Sequence, residues 1–218
     1  KFEVIIDGGK SAGQAHLVEI VSETKKESVA KVIESREIAP LPSPHLHLAL
    51  SIPRFPVFEA VIEKAVELGV KEIHPFYSDF SFIRTQADTW DKKVPRFEKI
   101  VMSAAQQSGR GELMKIADPV GLSDLLESFN RTKGAAGLFA YEGEGTLDAK
   151  DGVERIRALS PAEVWMFVGS EGGFSDKEVE LFQSVGLSTV TLGPQVLRVE
   201  TACVALTSVL KYGLDLMR

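Results

Sequence analysis

The chain has 218 residues, 44% hydrophobic and 26% charged, with a formal net charge of −6. That composition is ordinary for a folded globular protein, with room for one α/β domain and a small appendage. The single cysteine, Cys203, excludes an internal disulfide and fits a reducing cytoplasm. No apolar run reaches the roughly 18 to 20 residues needed to span a bilayer, and no signal-peptide pattern is present. The acidic balance means that any nucleic-acid contact must come from a local basic patch.

Lys1 opens the chain inside a strand-like stretch, "KFEVIID", so the natural start is expected to lie before it. Residues 1 to about 38 read as short antiparallel strands, "FEVII", "AHLVEIV" and "SVAKVI", joined by the turns "DGGKSAG" and "SETKKE". Hairpins this short need further strands for a stable core, which points to a small barrel whose opening strands are missing. The segment "EIAPLPSP" holds three prolines and reads as a linker, dividing residues 1–40 from residues 41–218.

Beyond the linker, strands alternate with helices, the pattern of an α/β domain. "HLHLALSI" is a strand with Leu46, Leu48 and Leu50 on one face. Residues 57–69 place Phe58, Val61, Ile62, Ala65 and Val66 on one helical stripe that ends at Gly69. The strand "KEIHPFYS" follows, then a helix from about Pro95 to Gln107 stopped by Gly109. Next come a short helix near Ser123 to Phe129, the strand "AAGLFAYE" and a helix near Gly152 to Leu159. The apolar run Val164 to Val168 leads through the loop Gly169 to Phe174 into a helix whose start is marked by a Ser175–Glu178 capping box. The last unit is the strand "STVTL", the loop "GPQVLRVE" and a helix from about Thr201 to Met217.

Two glycine loops stand out, because each leaves an apolar strand and precedes a helix, the usual ligand position in an open α/β sheet. The first lacks the Gly-Lys-Ser/Thr ending of a phosphate loop, and Glu171 would set a negative charge where a phosphate should sit. A carboxylate among glycines suits hydroxyls or an ammonium group; the bland alternative is a tight turn whose glycines only supply positive φ. In the second loop Arg198 and Glu200 stand just before the helix, where they either meet a polar ligand or pair at the surface. Lys92, Arg96 and Lys99 fall at i, i+4 and i+7 near Arg84 and ahead of Arg110, a candidate basic face, although Pro95 is tolerated only in a first turn and leaves Lys92 in doubt. His45 and His47 alternate on one strand, but no third metal ligand stands at suitable spacing, so both are read as structural. Cys203 reads as packing.

Four stretches, "KAVELGVKEI" at 64–73, "SAAQQSGR" at 103–110, "VGSEGGFSDKE" at 168–178 and "LGPQVLRVETA" at 192–202, follow in an order and spacing that resembles the RsmE family of ribosomal RNA methyltransferases, within the SPOUT superfamily. The likeness covers nearly the whole chain. It departs from the family where Ser170 replaces a proline, Ser103 a glutamate and Arg54 a lysine, and where a proline near Met114 is absent; Ser170 is expected to loosen the first loop.

The resemblance implies an α/β SPOUT domain with a C-terminal trefoil knot, preceded by a partial PUA-like β-barrel that carries RNA contacts. It implies S-adenosylmethionine as cofactor and methyl transfer to N3 of a uridine in 16S rRNA, in the cytoplasm and within the small ribosomal subunit. Cofactor contacts fall to Leu138, Phe139, Ala140, Gly169, Glu171, Gly172, Gly173, Leu192, Gly193, Leu197 and Thr201; catalysis falls to Arg198 and Glu200. RNA binding falls to Arg84, Arg96, Lys99 and Arg110, with no metal. A homodimer is expected, since SPOUT proteins are generally dimers and the last helix sets Ala202, Ala205, Leu206, Val209 and Leu210 on one stripe with an uncharged opposite side. A ribose 2′-O-methyltransferase and a non-catalytic RNA-binding module remain alternatives.

Overall fold

The computed structural model describes residues 1–5, 13–83, 88–143 and 146–217. Two sheets organise these residues. In the first, β1 (Phe2–Ile5), β2 (Gln14–Glu23) and β3 (Ser28–Glu37) run antiparallel in chain order. The third strand extends past Ile33 to Glu37, and residues 7–12 of the turn before β2 lie outside the described residues.

The second sheet has eight strands: β4 (His45–Ser51), β5 (Glu72–Tyr77), β6 (Lys115–Ile116), β7 (Val120–Gly121), β8 (Ala135–Ala140), β9 (Leu147–Asp148), β10 (Glu163–Val168) and β11 (Ser188–Thr191). Their spatial order is β6-β5-β4-β10-β8-β11-β9, with β7 also beside β5, and the pairings are parallel. Pro75, which has no N–H to donate, falls where the neighbour of β5 changes from β6 to β7.

A parallel sheet must be covered on both faces, and strand alternation supplies two cores here. Leu46, Leu48 and Leu50 of β4 join Val164, Met166 and Val168 of β10 in one cluster. Helices α1 (Phe55–Glu67), α3 (Val94–Ser108), α5 (Ala149–Leu159) and α7 (Val199–Gly213) contribute to that cluster. The odd positions Trp165 and Phe167 face the other way, into an aromatic cluster with Phe139, α4 (Leu122–Arg131) and α6 (Asp176–Ser184). A one-turn α2 (Asp88–Asp91) brings Trp90 against Phe58 and Phe97.

The α1 stripe buries Phe58, Val61, Ile62, Ala65 and Val66, as its periodicity requires. In α7 the stripe is rotated from the one read in sequence. Val199, Ala202, Cys203, Leu206, Thr207 and Leu210 are buried, while Ala205 and Val209 are only half-buried. The hydroxyl explains how Thr207 can turn inward: its Oγ1 donates to the Cys203 carbonyl at 2.7 Å, so no polar group is left bare. Cys203 is buried packing, and burial pushes its thiol far up. No helix among the described residues is long and apolar enough to cross a membrane.

Candidate active site

The chain leaves β10, passes over β8 and re-enters the sheet at β11, so the C-terminal ends of β8, β10 and β11 lie side by side. Between them is a cleft of about 430 Å³. Its walls are residues 140–143 after β8, residues 168–174 after β10, and residues 190–192, 196 and 197 after β11, closed from below by Val199 and Ala202 of α7.

The β10 wall is shaped by glycine. Gly173 N donates to the Ser170 carbonyl at 2.9 Å, closing a tight turn. A Cβ on Gly169 would stand 2.9 Å from Gly173 Cα, which no side chain tolerates, so backbone alone fills the crossing. Ser170 does not loosen this loop: its Oγ donates to the Phe80 carbonyl at 2.6 Å and ties it to the segment after β5. The capping box of α6 is formed as read from the sequence. Its Glu178 carboxylate is buried and also accepts from Asp79 N at 2.9 Å, a second tie to that segment.

Among the cleft's lining residues are two carboxylates, Glu142 and Glu171, an apolar wall of Val168, Leu192, Val196 and Leu197, and several stretches of bare backbone. The arrangement suits a ligand with a positive group, donating hydroxyls, an apolar ring and a polar ring edge; it repels a phosphate.

Of the expected cofactor residues, Ala140, Gly169, Glu171, Gly172, Gly173, Leu192 and Leu197 line the cleft. Leu138 and Phe139 do not. They sit in the middle of β8 with their side chains in opposite cores, 1% and 0% exposed, and only the strand's last residue reaches the opening. Gly193 stands at the rim in a turn with φ 114°, its carbonyl accepting from Thr191 Oγ1 at 3.0 Å, and Thr201 is exposed in the first turn of α7. Arg198 is the exposed N-cap residue of α7 and Glu200 follows half-buried; both adjoin the cleft without lining it. Glu142 lies two residues beyond Ala140, and its place just past the end of a buried strand is the signal that marks it.

The basic residues separate. Arg84 lies outside the described residues. Arg96 and Lys99 are exposed on α3, but Arg96 is already engaged, with Nε and Nη2 each donating to the Glu59 carboxylate at 2.6 Å. Lys92 falls outside α3, which begins at Val94 with its proline in the first turn. Arg110 is held inward: its side chain is 5% exposed, and Nη1 donates to the carbonyls of Val70 at 2.7 Å and Val66 at 3.4 Å. Its Nη1 thus lies at the negative end of α1, on one carbonyl of the last turn and one just after it.

Toward the opposite end of the sheet, on β4, β5 and β10, histidines form a network that one strand's spacing could not reveal. His47 Nε2 lies 2.7 Å from Glu163 Oε2, and His47 Nδ1 lies 3.0 Å from His74 Nε2 on the adjacent strand. His74 and Glu72 bring an imidazole and a carboxylate within 4.8 Å of His47, correcting the expectation that no third group stands near. Trp165 stacks on both rings. Burial lowers the pKa of both histidines, that of His74 to about 3, so the pair is neutral, and both nitrogens of His47 with Nε2 of His74 form a hydrogen-bonded chain to Glu163.

A family model described as an RNA methyltransferase domain matches residues 39–211. The ribosomal RNA small subunit methyltransferase E of Mesomycoplasma hyopneumoniae is 34% identical over 192 residues, which are 88% of this chain and 78% of that protein. Its namesake in Aquifex aeolicus is 31% identical over 199 residues, 91% and 81% of the two chains. Among solved structures, the ribosomal RNA small subunit methyltransferase E from Neisseria gonorrhoeae, bound to S-adenosyl methionine, superposes with a TM-score of 0.78 at 27% identity over 92% of this chain and 79% of that one. A Legionella pneumophila protein in complex with SAM gives 0.80 at 28% identity over 92% and 79%. With the matched domain spanning the sheet, the cleft and α7, the chain belongs to the ribosomal RNA small subunit methyltransferase E family.

Proposed function

We propose that this protein transfers the methyl group of S-adenosylmethionine to N3 of a uridine in small-subunit (16S) ribosomal RNA. The observation that carries the reading is the cleft: in a chain of this family, glycine turns and the carboxylates Glu142 and Glu171 converge at the ends of three parallel strands. That set of groups fits the cofactor, whose sulfonium and ammonium call for carboxylates, whose ribose hydroxyls donate, and whose adenine edge pairs with bare backbone. When bound, S-adenosylmethionine supplies the electrophilic methyl group.

In this reading the chain's residues do the rest. Leu192 and Leu197 flank the adenine, Gly169, Gly172 and Gly173 let the loop close on it, and Gly193 and Thr201 shape the rim. Arg198, a cation next to the opening, stabilises the negative charge that develops on the uracil oxygens as N3 loses its proton. Glu200 or water takes that proton. Phosphate contacts fall to Arg84, Arg96 and Lys99. The reading needs no metal, so cofactor binding should survive EDTA.

Residues 41–218 act as the SPOUT domain and residues 1–40 as part of a PUA-like barrel that touches RNA, a division supported by the domain match starting at residue 39. A trefoil knot around the cleft is supported by the path of the chain: β11 lies beyond β8, yet α7 returns to pack on α1 and β10. A cytoplasmic homodimer working on the small ribosomal subunit completes the reading. The half-buried Ala205 and Val209 and the exposed Tyr212 give α7 a face for a second copy.

The test is methyl transfer from labelled cofactor to small subunits or their RNA, followed by digestion to nucleosides. Label in 3-methyluridine supports the reading. Label on ribose makes the protein a 2′-O-methyltransferase, and RNA binding with no label makes it a non-catalytic module.

A further inference from the structure

Next to the cleft the fold presents two phenylalanines, Phe80 and Phe82, 45% and 58% exposed among the described residues. Single exposed apolar residues are ordinary. These two differ because the backbone that carries them is held from several sides. Ser81 Oγ accepts from Ser78 N at 2.7 Å and lies 3.0 Å from Ser51 Oγ, all three hydroxyls being buried. Phe82 N donates to the Ile52 carbonyl at 3.0 Å. On the other side Ser170 and Glu178 bind the Phe80 carbonyl and Asp79 N, and Ser175 Oγ donates to Asp79 Oδ2 at 2.6 Å.

The ring-bearing segment lies against the cleft's β10 wall. A Cβ added to Gly172 would stand 2.7 Å from Phe80 Cβ, so that glycine lets Phe80 lie on the loop that walls the cofactor site. Arg54, after β4, sets its guanidinium 5.1 Å from the Phe82 ring centre, and its backbone N donates to Glu171 at 3.3 Å. Two π faces on a held backbone and a cation thus lie beside the loop that walls the cleft.

We propose that Phe80, Phe82 and Arg54 form a stacking platform for the unpaired bases of single-stranded RNA next to the target uridine. The proposal rests on the reading of this protein as an RNA methyltransferase. N3 of a paired uridine is engaged in its hydrogen bond, so the base must leave its partner and its stack before reaction. Unstacked bases are held most generally by aromatic faces and guanidinium planes, which accept any base because every base has a π face. The fixed backbone means that little ordering entropy is lost when a base lands on the rings.

Three variants test this: Phe82→Ala, Phe80→Ala and Phe82→Trp, each measured for binding to single-stranded oligouridylate, for kcat and KM on small-subunit RNA, for S-adenosylmethionine affinity and for mass by light scattering. Each alanine variant should bind oligouridylate roughly tenfold more weakly and raise the KM for RNA by a similar factor. Cofactor affinity and mass should stay unchanged, and Phe82→Trp should bind as the wild type does, with its fluorescence quenched by RNA. Wild-type RNA affinity and KM in both alanine variants would overturn the platform, as would a change of mass, which would place the rings in a subunit contact. Either result leaves 3-methyluridine formation by the wild-type protein intact, so the platform can fail while the methyltransferase reading holds. Absence of methyl transfer with ring-dependent oligouridylate binding would do the reverse.

Discussion

The two ends of the parallel sheet serve opposite purposes, with β10 shared between them. At the N-terminal end, Glu163, His47 and His74 bind one another at 2.7 and 3.0 Å, and Trp165 covers the rings. At the C-terminal end the strands stop in glycine turns, and backbone and two carboxylates are left facing a cleft. The lesson is that polarity alone does not mark a site. The richer collection of titratable groups is at the end where they neutralise each other, while the cleft's polar groups remain available to a ligand.

The largest expected effect at the open end is on chemistry. Arg198→Ala should lower the single-turnover rate by about 10²-fold with RNA affinity little changed, because only an interaction stronger in the transition state alters that step. A variant that binds RNA poorly but reacts normally at saturation would make Arg198 a positioning residue.

Arg110→Ala comes next and belongs to neither end. Removing the buried guanidinium takes the donor from the Val70 carbonyl just after α1 and should cost about 2–3 kcal/mol in denaturant unfolding, while the salt dependence of RNA binding keeps its slope. A slope flatter by about one unit, with stability unchanged, would return Arg110 to the phosphate contacts.

Gly169→Val sharpens the comparison directly. Its Cβ would meet the Gly173 backbone, so calorimetry should show cofactor affinity reduced at least about tenfold, or about 1.4 kcal/mol. Wild-type affinity would move the pocket elsewhere.

The smallest effect is expected at the closed end. His47 and His74 have folded-state pKa values below the ordinary 6.5, so the folded protein binds fewer protons there than the unfolded chain. Stability from this pair is complete above about pH 6.5 and declines as pH falls toward the folded values. His74→Gln keeps a donor for His47 and removes one titration, so its denaturation midpoint should fall less between about pH 6.5 and about pH 4 than that of the wild type. An equal fall in both would show that other groups set the acid limb.

Much of this was legible in the chain. The α1 stripe, the Ser175–Glu178 capping box and the strand-loop-helix units follow from local chemistry, and their places in the sequence put both glycine loops at strand ends. What stayed hidden depends on neighbours distant in sequence. Leu138 and Phe139 share a strand with Ala140, and only the position of the sheet's edge decides which of them meets the cleft. Arg110 follows an exposed-looking motif, yet the carbonyls that bury it belong to Val66 and Val70. His74 becomes the partner of His47 because β5 pairs with β4. Ser170 looked like a loss of rigidity until the Phe80 carbonyl supplied its acceptor.

Backbone amide hydrogen exchange with and without S-adenosylmethionine tests the contrast between the two ends most directly. The account predicts that the cofactor slows exchange in residues 169–174 and 190–199 and leaves residues 45–47 and 72–74 unchanged. Protection at the histidine end, with none at the glycine loops, would contradict it.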